Sequence, residues 1–229
     1  VIDPSQNLSG LYDVALEGGK VAKVAREIAE AQARNVVDAR GLLVTPGLVD
    51  LHIHAHWGVS HWAIEPDLAC LPTGVTTAVE AGSAGAYTYP SLKRYIIERC
   101  QTRLYALLNI ASPGMVVPEI GELEDLRHVD KDMAIKIGRD QTVVGVKARM
   151  DRVGEHLATE PLRAAIEVAE ELGKLAMIHI GDAKRMRVPL SAVLELMRPG
   201  DIVTHTYHGH LGGIVDEDGK LRPEVLEAR

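Results

Sequence analysis

Two histidines one residue apart end an apolar run over residues 47–54, which reads Gly-Leu-Val-Asp-Leu-His-Ile-His. Residues i and i+2 of a strand point to the same face, so His52 and His54 should project together, with their Cα atoms about 6.6 Å apart. Two imidazoles at this spacing can bind one metal ion. A lone His-x-His pair is more often an ordinary surface or core pair. Here the turn Thr45-Pro46-Gly47 precedes the run, and the histidines lie at its carboxyl end, where parallel strands usually carry site residues.

Three later apolar runs also end in a residue that can take part in metal binding. The run Val-Val-Gly-Val-Lys ends in Lys147, Leu-Ala-Met-Ile-His ends in His179, and Ile-Val-Thr-His ends in His205. Each alone fits a hydrogen-bonded core histidine or a lysine whose amine reaches solvent. If the runs are parallel strands of one barrel, their carboxyl ends reach the same rim. Together the runs predict a metal centre made of His52, His54, Lys147, His179 and His205.

Lys147 needs a separate physical account, because a protonated amine would be repelled by histidine-bound cations. Burial and positive neighbours lower the pKa of a lysine and favour its neutral form. A neutral amine can capture carbon dioxide and become a carbamate, an anion whose two oxygens can bridge two metal ions. A structural lysine in a salt bridge is the alternative interpretation.

The chain from residue 48 onward alternates short apolar runs with helical patterns. The predicted strands cover residues 48–54, 75–79, 103–110, 143–147, 175–179 and 202–205. The predicted helices cover residues 90–100, 130–139, 160–172 and 189–197, and a last helix begins at residue 223. In the first run, Val49, Leu51 and Ile53 face away from the histidines and can pack under a helix. Buried strands joined by helical crossovers predict an α/β fold, a TIM-type (β/α) barrel that is incomplete because it has six strands rather than eight.

The first 45 residues differ in pattern from the rest. Two short strands flank the Gly18-Gly19 turn, which is typical of a β-hairpin. We therefore predict a partial small β domain over residues 1–45 and a barrel over residues 46–229.

The composition excludes several classes of function. A net charge of -7 argues against nucleic acid and anionic membrane surfaces as partners. No run reaches the ~18 apolar residues of a membrane helix. The two cysteines, Cys70 and Cys100, are far apart, which favours reduced thiols and a cytoplasmic location.

The order of these motifs resembles the amidohydrolase superfamily. Pro46-Gly47 before the His-x-His pair, then a strand-end lysine, then single histidines after the next two strands are similar to its binuclear, carboxylated-lysine subtype. Further segments are similar to the deacetylase branch of that superfamily: residues 73–77, 81–85, 95–98, 144–149 and 212–219.

The resemblance implies a hydrolase that cleaves an amide or ester of a small acylated substrate by a metal-bound hydroxide. It implies that His52 and His54 bind the more buried metal, that carboxylated Lys147 bridges, and that His179 and His205 bind the second metal. Zinc is the first expectation for histidine-rich sites, with manganese as the second. Cyclic-amide hydrolysis, as in dihydroorotases and hydantoinases, is the alternative because those enzymes share the metal site.

The sequence departs from the family pattern after the sixth strand. The family places a catalytic aspartate after strand eight, so the catalytic residue is unknown in this chain. Asp201 begins a strand, and Asp216 and Asp218 lie in a turn, so none replaces it. We expect either a part of a longer enzyme or an inactive metal-binding remnant. The open edges of a six-stranded barrel favour either association, as in a homo-oligomer, or missing chain over a soluble monomer.

Two residues near the predicted metal ligands are candidates for contact with a small-molecule substrate. Arg149 shares a face with Lys147 and could bind a substrate carboxylate, with a surface ion pair as the alternative. His208 lies beyond the last apolar run and ranks below His205 as a metal ligand, but it is a candidate for substrate binding.

Overall fold

The computed structural model describes residues 1–117, 119–150, 153–154, 157–181, 186 and 188–228. Contacts divide the chain into two compact units, Val1–Leu48 and Val49–Arg229. The domain boundary predicted between residues 45 and 46 stays a prediction.

The first unit contains two small antiparallel pairs. Its strands are β1 (Ile2–Asp3), β2 (Leu8–Ser9), β3 (Asp13–Glu17) and β4 (Lys20–Ala25). β1 pairs with β2, and β3 pairs with β4. Gly18 and Gly19 have φ values of 57° and 75°, which few other residues adopt without strain. These two glycines make the tight turn, and the predicted hairpin is confirmed.

The second sheet carries the candidate site. Among the described residues it has six strands: β5 (Leu48–Ile53), β6 (Val75–Glu80), β7 (Arg103–Asn109), β8 (Val143–Arg149), β9 (Leu175–His179) and β10 (Ile202–Thr204). They lie in the order β10-β9-β8-β7-β6-β5, so neighbours in the chain are neighbours in space. The pairs from β6 to β10 are parallel. The α/β class and the incomplete barrel are confirmed.

Helices connect these strands. The described helices are α1 (Pro66–Cys70), α2 (Tyr89–Leu92), α3 (Lys131–Gly138), α4 (Glu160–Glu171), α5 (Leu190–Leu194) and α6 (Pro223–Glu227). A π-helical turn, Lys93–Ile97, continues α2 and completes most of the helix predicted over residues 90–100. The helix predicted over residues 189–197 is shorter than expected, since regular helix ends at Leu194 and turns lead to Pro199-Gly200.

Helix α4 shows how sequence periodicity becomes packing. Leu162, Ala165, Val168 and Ala169 recur at helical spacing and are all buried in the aliphatic core. This face of α4 contacts β8 and β9, the strands that carry Lys147 and His179. The helix fixes these two strands relative to each other because its buried side chains contact both.

The edges of the sheet curl toward each other. β5 and β10 are at opposite ends of the strand order, yet Nδ1 of His52 on β5 lies 2.7 Å from Oγ1 of Thr204 on β10. A flat sheet of this width could not make that contact, because neighbouring strands are about 4.8 Å apart. The curl brings the two edge strands to the same site.

The outer face of β5 departs from the expectation. Ile53 is buried, but Val49 and Leu51 are each 58% exposed. The helix that follows β5 is only five residues long, and Cys70 of this helix packs in the same small cluster as Ile53. A helix this short cannot cover the length of the strand.

The state of the cysteines and the length of the helices were also predicted from the sequence. Cys70 and Cys100 are both free thiols, as predicted. Within the described part of the chain, no helix has the length and apolarity needed to cross a membrane.

Because α4 supports β8 and β9, we predict that Leu162→Ala destabilises the protein. Leu162 is fully buried, so the cavity should lower the free energy of unfolding by about 2–5 kcal/mol. Leu68→Ala is the matched control, since Leu68 is 74% exposed and the change should cost under about 0.5 kcal/mol. Denaturant unfolding measures both variants, and equal losses would contradict this account of the core.

Candidate metal centre

The predicted ligands lie at the carboxyl ends of four strands. His52 is in β5, His54 follows its last residue, Lys147 is in β8, His179 ends β9, and His205 follows β10. In the parallel register Arg149 is beside His179, and Thr204 is on the other side of His179. This register places the later ligands at one end of the sheet.

The four histidine rings form a continuous cluster. The ring centroids of His52 and His54 are 5.3 Å apart, those of His52 and His205 are 4.8 Å apart, and those of His179 and His205 are 4.4 Å apart. His52 and His205 are therefore the central pair, with His54 and His179 on either side. The structure brings together rings that are up to 153 positions apart in the chain.

His205 has an unusual backbone conformation. Its φ is 64°, in the left-handed region, where residues other than glycine are uncommon. The conformation lets the chain turn directly after Thr204 while the ring stays against those of His52 and His179. A strained backbone at a site residue often marks a position selected for function rather than for stability.

The electrostatics of the cluster favour neutral imidazoles. Burial, with Lys147, His54 and His205 as positive neighbours, lowers the pKa of His52 to about 3. Burial, followed by the effects of His205 and Lys147, lowers the pKa of His179 to about 2. Both rings are therefore neutral at physiological pH, and neutral imidazole is the form that binds metal ions.

Lys147 is completely buried in β8 and lies against a glycine. A Cβ atom added to Gly82 would lie 2.5 Å from Cγ of Lys147 and 2.6 Å from its Cβ, so any larger residue would displace the lysine. Gly82 also has a φ of 90°, and its carbonyl accepts a hydrogen bond of 2.9 Å from the side-chain amide of Asn109. The backbone at Gly82 is held where it leaves space for the Lys147 side chain.

Two of the histidines are oriented by neighbouring hydroxyl groups. Nδ1 of His52 lies 2.7 Å from Oγ1 of Thr204, and Nδ1 of His54 lies 2.9 Å from Oγ of Ser83. Glu80 adds a buried carboxylate, with Oε1 3.6 Å from Nδ1 of His54. With Nδ1 engaged in both rings, Nε2 is the nitrogen left for a ligand. Sequence reasoning missed all three supporting residues, although Glu80 ends β6 as the predicted ligands end theirs.

The cluster fits divalent cations by the chemistry and spacing of its donors. Imidazoles that share a zinc ion at about 2.1 Å have ring centroids roughly 5 Å apart, which matches the observed spacings. As the described side chains stand, no group of three His, Cys, Asp or Glu residues is arranged to hold an ion. Metal binding at the histidine cluster therefore stays a prediction, which the spacing of the rings supports and the present orientation of their nitrogens does not.

Arg149 is not the surface ion pair that was one of its interpretations. It is 4% exposed, and its Nε lies 3.4 Å from Oε1 of Glu122, which is also buried. Its guanidinium lies 5.0 Å from the ring centroid of Trp62, and the Trp62 ring is 6.2 Å from that of His54. The loop after β5 thus contacts the histidine cluster, while substrate binding by Arg149 stays a prediction.

His208 lies beside the cluster rather than in it. Residues 203–208, which include His205 and His208, line one shallow depression. Nδ1 of His208 accepts a hydrogen bond of 3.2 Å from the backbone N–H of His210. Its Nε2 is buried and has no hydrogen-bond partner among the described residues. Substrate binding by His208 stays a prediction.

Known proteins resemble the chain in sequence and fold. No family model matches it. A deacetylase from Agrobacterium fabrum is 34% identical over 215 residues, which are 91% of this chain and 52% of that protein. A crystal structure of a dihydroorotase matches with a TM-score of 0.69 and 33% identity, covering 74% of this chain and 54% of that one. A crystal structure of an adenine deaminase matches with a TM-score of 0.79 and 29% identity, covering 95% and 59%.

The chain spans about half the length of the curated relatives it matches. The matches nevertheless extend over most of this chain, and the adenine deaminase structure covers 95% of it. Over most of its length the chain is therefore similar to deacetylases and dihydroorotases, in agreement with its resemblance to the amidohydrolase superfamily and to the deacetylase branch.

Proposed function

We propose that this chain carries the metal-binding part of a hydrolase that cleaves an amide or ester of a small acylated substrate. The observation that carries the proposal is the cluster of four imidazoles, from three separate parts of the chain, at the carboxyl ends of parallel strands. The likeness to a deacetylase over 91% of the chain favours acyl groups such as acetyl.

The resemblance to the amidohydrolase superfamily divides the donors into two sets. His52 and His54 would hold one divalent cation, His179 and His205 would hold a second, and Lys147 would contribute to both as a carbamate. Zinc is the first choice for such donors, and manganese is the second. When bound, the cations supply an activated water and polarise the scissile carbonyl.

The protein's own groups prepare the site for this chemistry. Burial keeps His52 and His179 neutral, so they need not lose a proton before they bind cations. Thr204 and Ser83 fix two of the rings. We propose that Arg149 favours an anionic substrate by its charge, and that Nε2 of His208 offers a polar contact beside His205. The free thiols of Cys70 and Cys100 support a cytoplasmic location.

A second candidate is cyclic-amide hydrolysis. It is supported by the dihydroorotase structure, which matches this chain at 33% identity. Both reactions use an activated water to break the bond between a carbonyl carbon and its leaving group, which is nitrogen in an amide and oxygen in an ester, so the metal ligands are the same in either case. The substrate is what separates the two proposals.

The first prediction concerns removal of metal ions. The purified chain should contain close to two zinc or manganese ions, as measured by elemental analysis, and a chelator should remove them. We expect hydrolysis of N-acetyl amino acids or O-acetyl hydroxy acids to disappear with the metal and to return when zinc or manganese is added.

Dihydroorotate, hydantoin and adenine serve as comparison substrates in the same assay. Turnover of dihydroorotate or hydantoin alone would replace the deacetylase proposal with the cyclic-amide one. A folded chain with well under one metal ion would contradict the ligand assignments.

The second prediction concerns the space that Gly82 leaves for Lys147. Gly82→Ala should weaken metal binding at least about tenfold, because the new Cβ displaces the lysine. It should also remove the carbamate signal seen by carbon-13 NMR after incubation with labelled bicarbonate.

Gly74→Ala is the matched control. Gly74 has a similar φ of 82° and nothing within 4 Å of an added Cβ, so this change carries the backbone strain alone. Equal metal affinity and carbamate signals in the two variants would show that Gly82 has no special role at Lys147.

A further inference from the structure

Glu80 is a buried carboxylate that the proposed chemistry does not use. It ends β6 and is fully buried. Its Oε1 accepts a hydrogen bond of 2.8 Å from the backbone N–H of Ser83, and its Oε2 accepts one of 3.3 Å from that of Gly82. Burying a carboxylate is costly unless it is paired and hydrogen-bonded. The two backbone N–H groups offset this cost and hold the carboxylate in the interior beside the candidate site.

The nearest histidine to this carboxylate is His54. Its Nδ1 lies 3.6 Å from Oε1 of Glu80 and 2.9 Å from Oγ of Ser83. A hydroxyl group can donate or accept, so Ser83 alone does not decide which ring nitrogen of His54 carries the proton. A negative charge beside Nδ1 does decide it, because it favours the tautomer with the N–H on that side. Nδ1 then donates to Ser83, and the lone pair is on Nε2.

The surroundings of Nδ1 in His52 differ from those of Nδ1 in His54. Its Nδ1 meets the hydroxyl of Thr204, and no carboxylate among the described residues forms an ion pair with the ring. His54 thus differs from His52 in having a carboxylate behind it. A carboxylate behind a metal-binding imidazole makes the ring a better donor and fixes its orientation.

We propose that Glu80 is a positioning residue that acts through His54. With Ser83 it selects the Nδ1–H tautomer of His54 and directs Nε2 toward the cation site. This inference rests on the proposed function for its metal, but the tautomer itself is a property of the metal-free chain. Glu80 would touch neither metal nor substrate.

The first test is the tautomer of His54 in the metal-free chain. Long-range proton–nitrogen NMR at about pH 8.5 reads neutral imidazole tautomers directly. We expect Nδ1–H at His54 in the wild type, and a shift toward a mixture with Nε2–H in Glu80→Gln, which keeps the shape of the side chain and removes its charge. An Nε2–H tautomer in the wild type would overturn the inference whether or not the chain binds metal.

The second test is metal affinity, measured by competition between the chain and a chelator for Zn²⁺ or Co²⁺. Glu80→Gln should weaken binding about 10–100-fold. Ser83→Ala, a small change at a buried position, provides a second variant should Glu80→Gln fail to fold, and it should weaken binding in the same direction. Unchanged affinity in the folded variants would overturn the inference.

Asp201→Asn is the matched control for a general loss of stability. Asp201 is also a buried carboxylate that accepts a backbone hydrogen bond, at 2.7 Å from N of Ala176, but its ion-pair partner is Arg198. Asp201→Asn should lower the melting temperature without changing metal affinity. A loss of affinity equal to that of Glu80→Gln would show that the effect of Glu80 is only structural. If the wild type binds no metal, the proposed function fails, while the tautomer still decides the role of Glu80.

Discussion

The parallel register of the strands is the constraint on which the site depends. Each ligand by itself is an ordinary polar residue at the end of an apolar run. The register sets Lys147 beside Met177 and Thr204 beside His179, and the curl of the sheet then brings His52 to Thr204. A shift by one residue in any strand would turn its ligand to the other face. Packing of α4 against β8 and β9 therefore supports the chemistry as well as the fold.

The histidine cluster and Lys147 bring several basic groups within a short distance of one another. Positive charges placed this close together would repel one another strongly in a region with little water. The protein resolves the problem by burial, which holds His52 and His179 in the neutral form. The same burial that costs solvation energy thus leaves these two imidazoles in the neutral form that the proposed metal binding requires.

Local patterns in the sequence predicted the strands and the four histidines, because strand ends and apolar periodicity are visible within a few residues. Contacts between distant residues could not be predicted in this way: Ser83 is 29 positions from His54, and Thr204 is 152 positions from His52. Glu80 resembles any surface carboxylate until the turn at residues 82–83 places two N–H groups on it. The exposure of the outer face of β5 follows from the short length of α1, and the sequence pattern of α1 did not reveal that length.

Two of the irregular backbone positions of this protein lie at or next to its predicted ligands. Gly82 has a φ of 90° and lies against Lys147, and His205 has a φ of 64° and is itself in the histidine cluster. Regular strands bring side chains to the rim but cannot also leave room for a lysine or turn the chain back at once after a strand. Those tasks need conformations that most residues avoid. Gly82 adopts its conformation without steric cost because it has no Cβ atom, whereas His205 has a Cβ atom and bears that cost. A glycine at position 205 would relieve that strain, but it would also remove the imidazole that lies against His52 and His179.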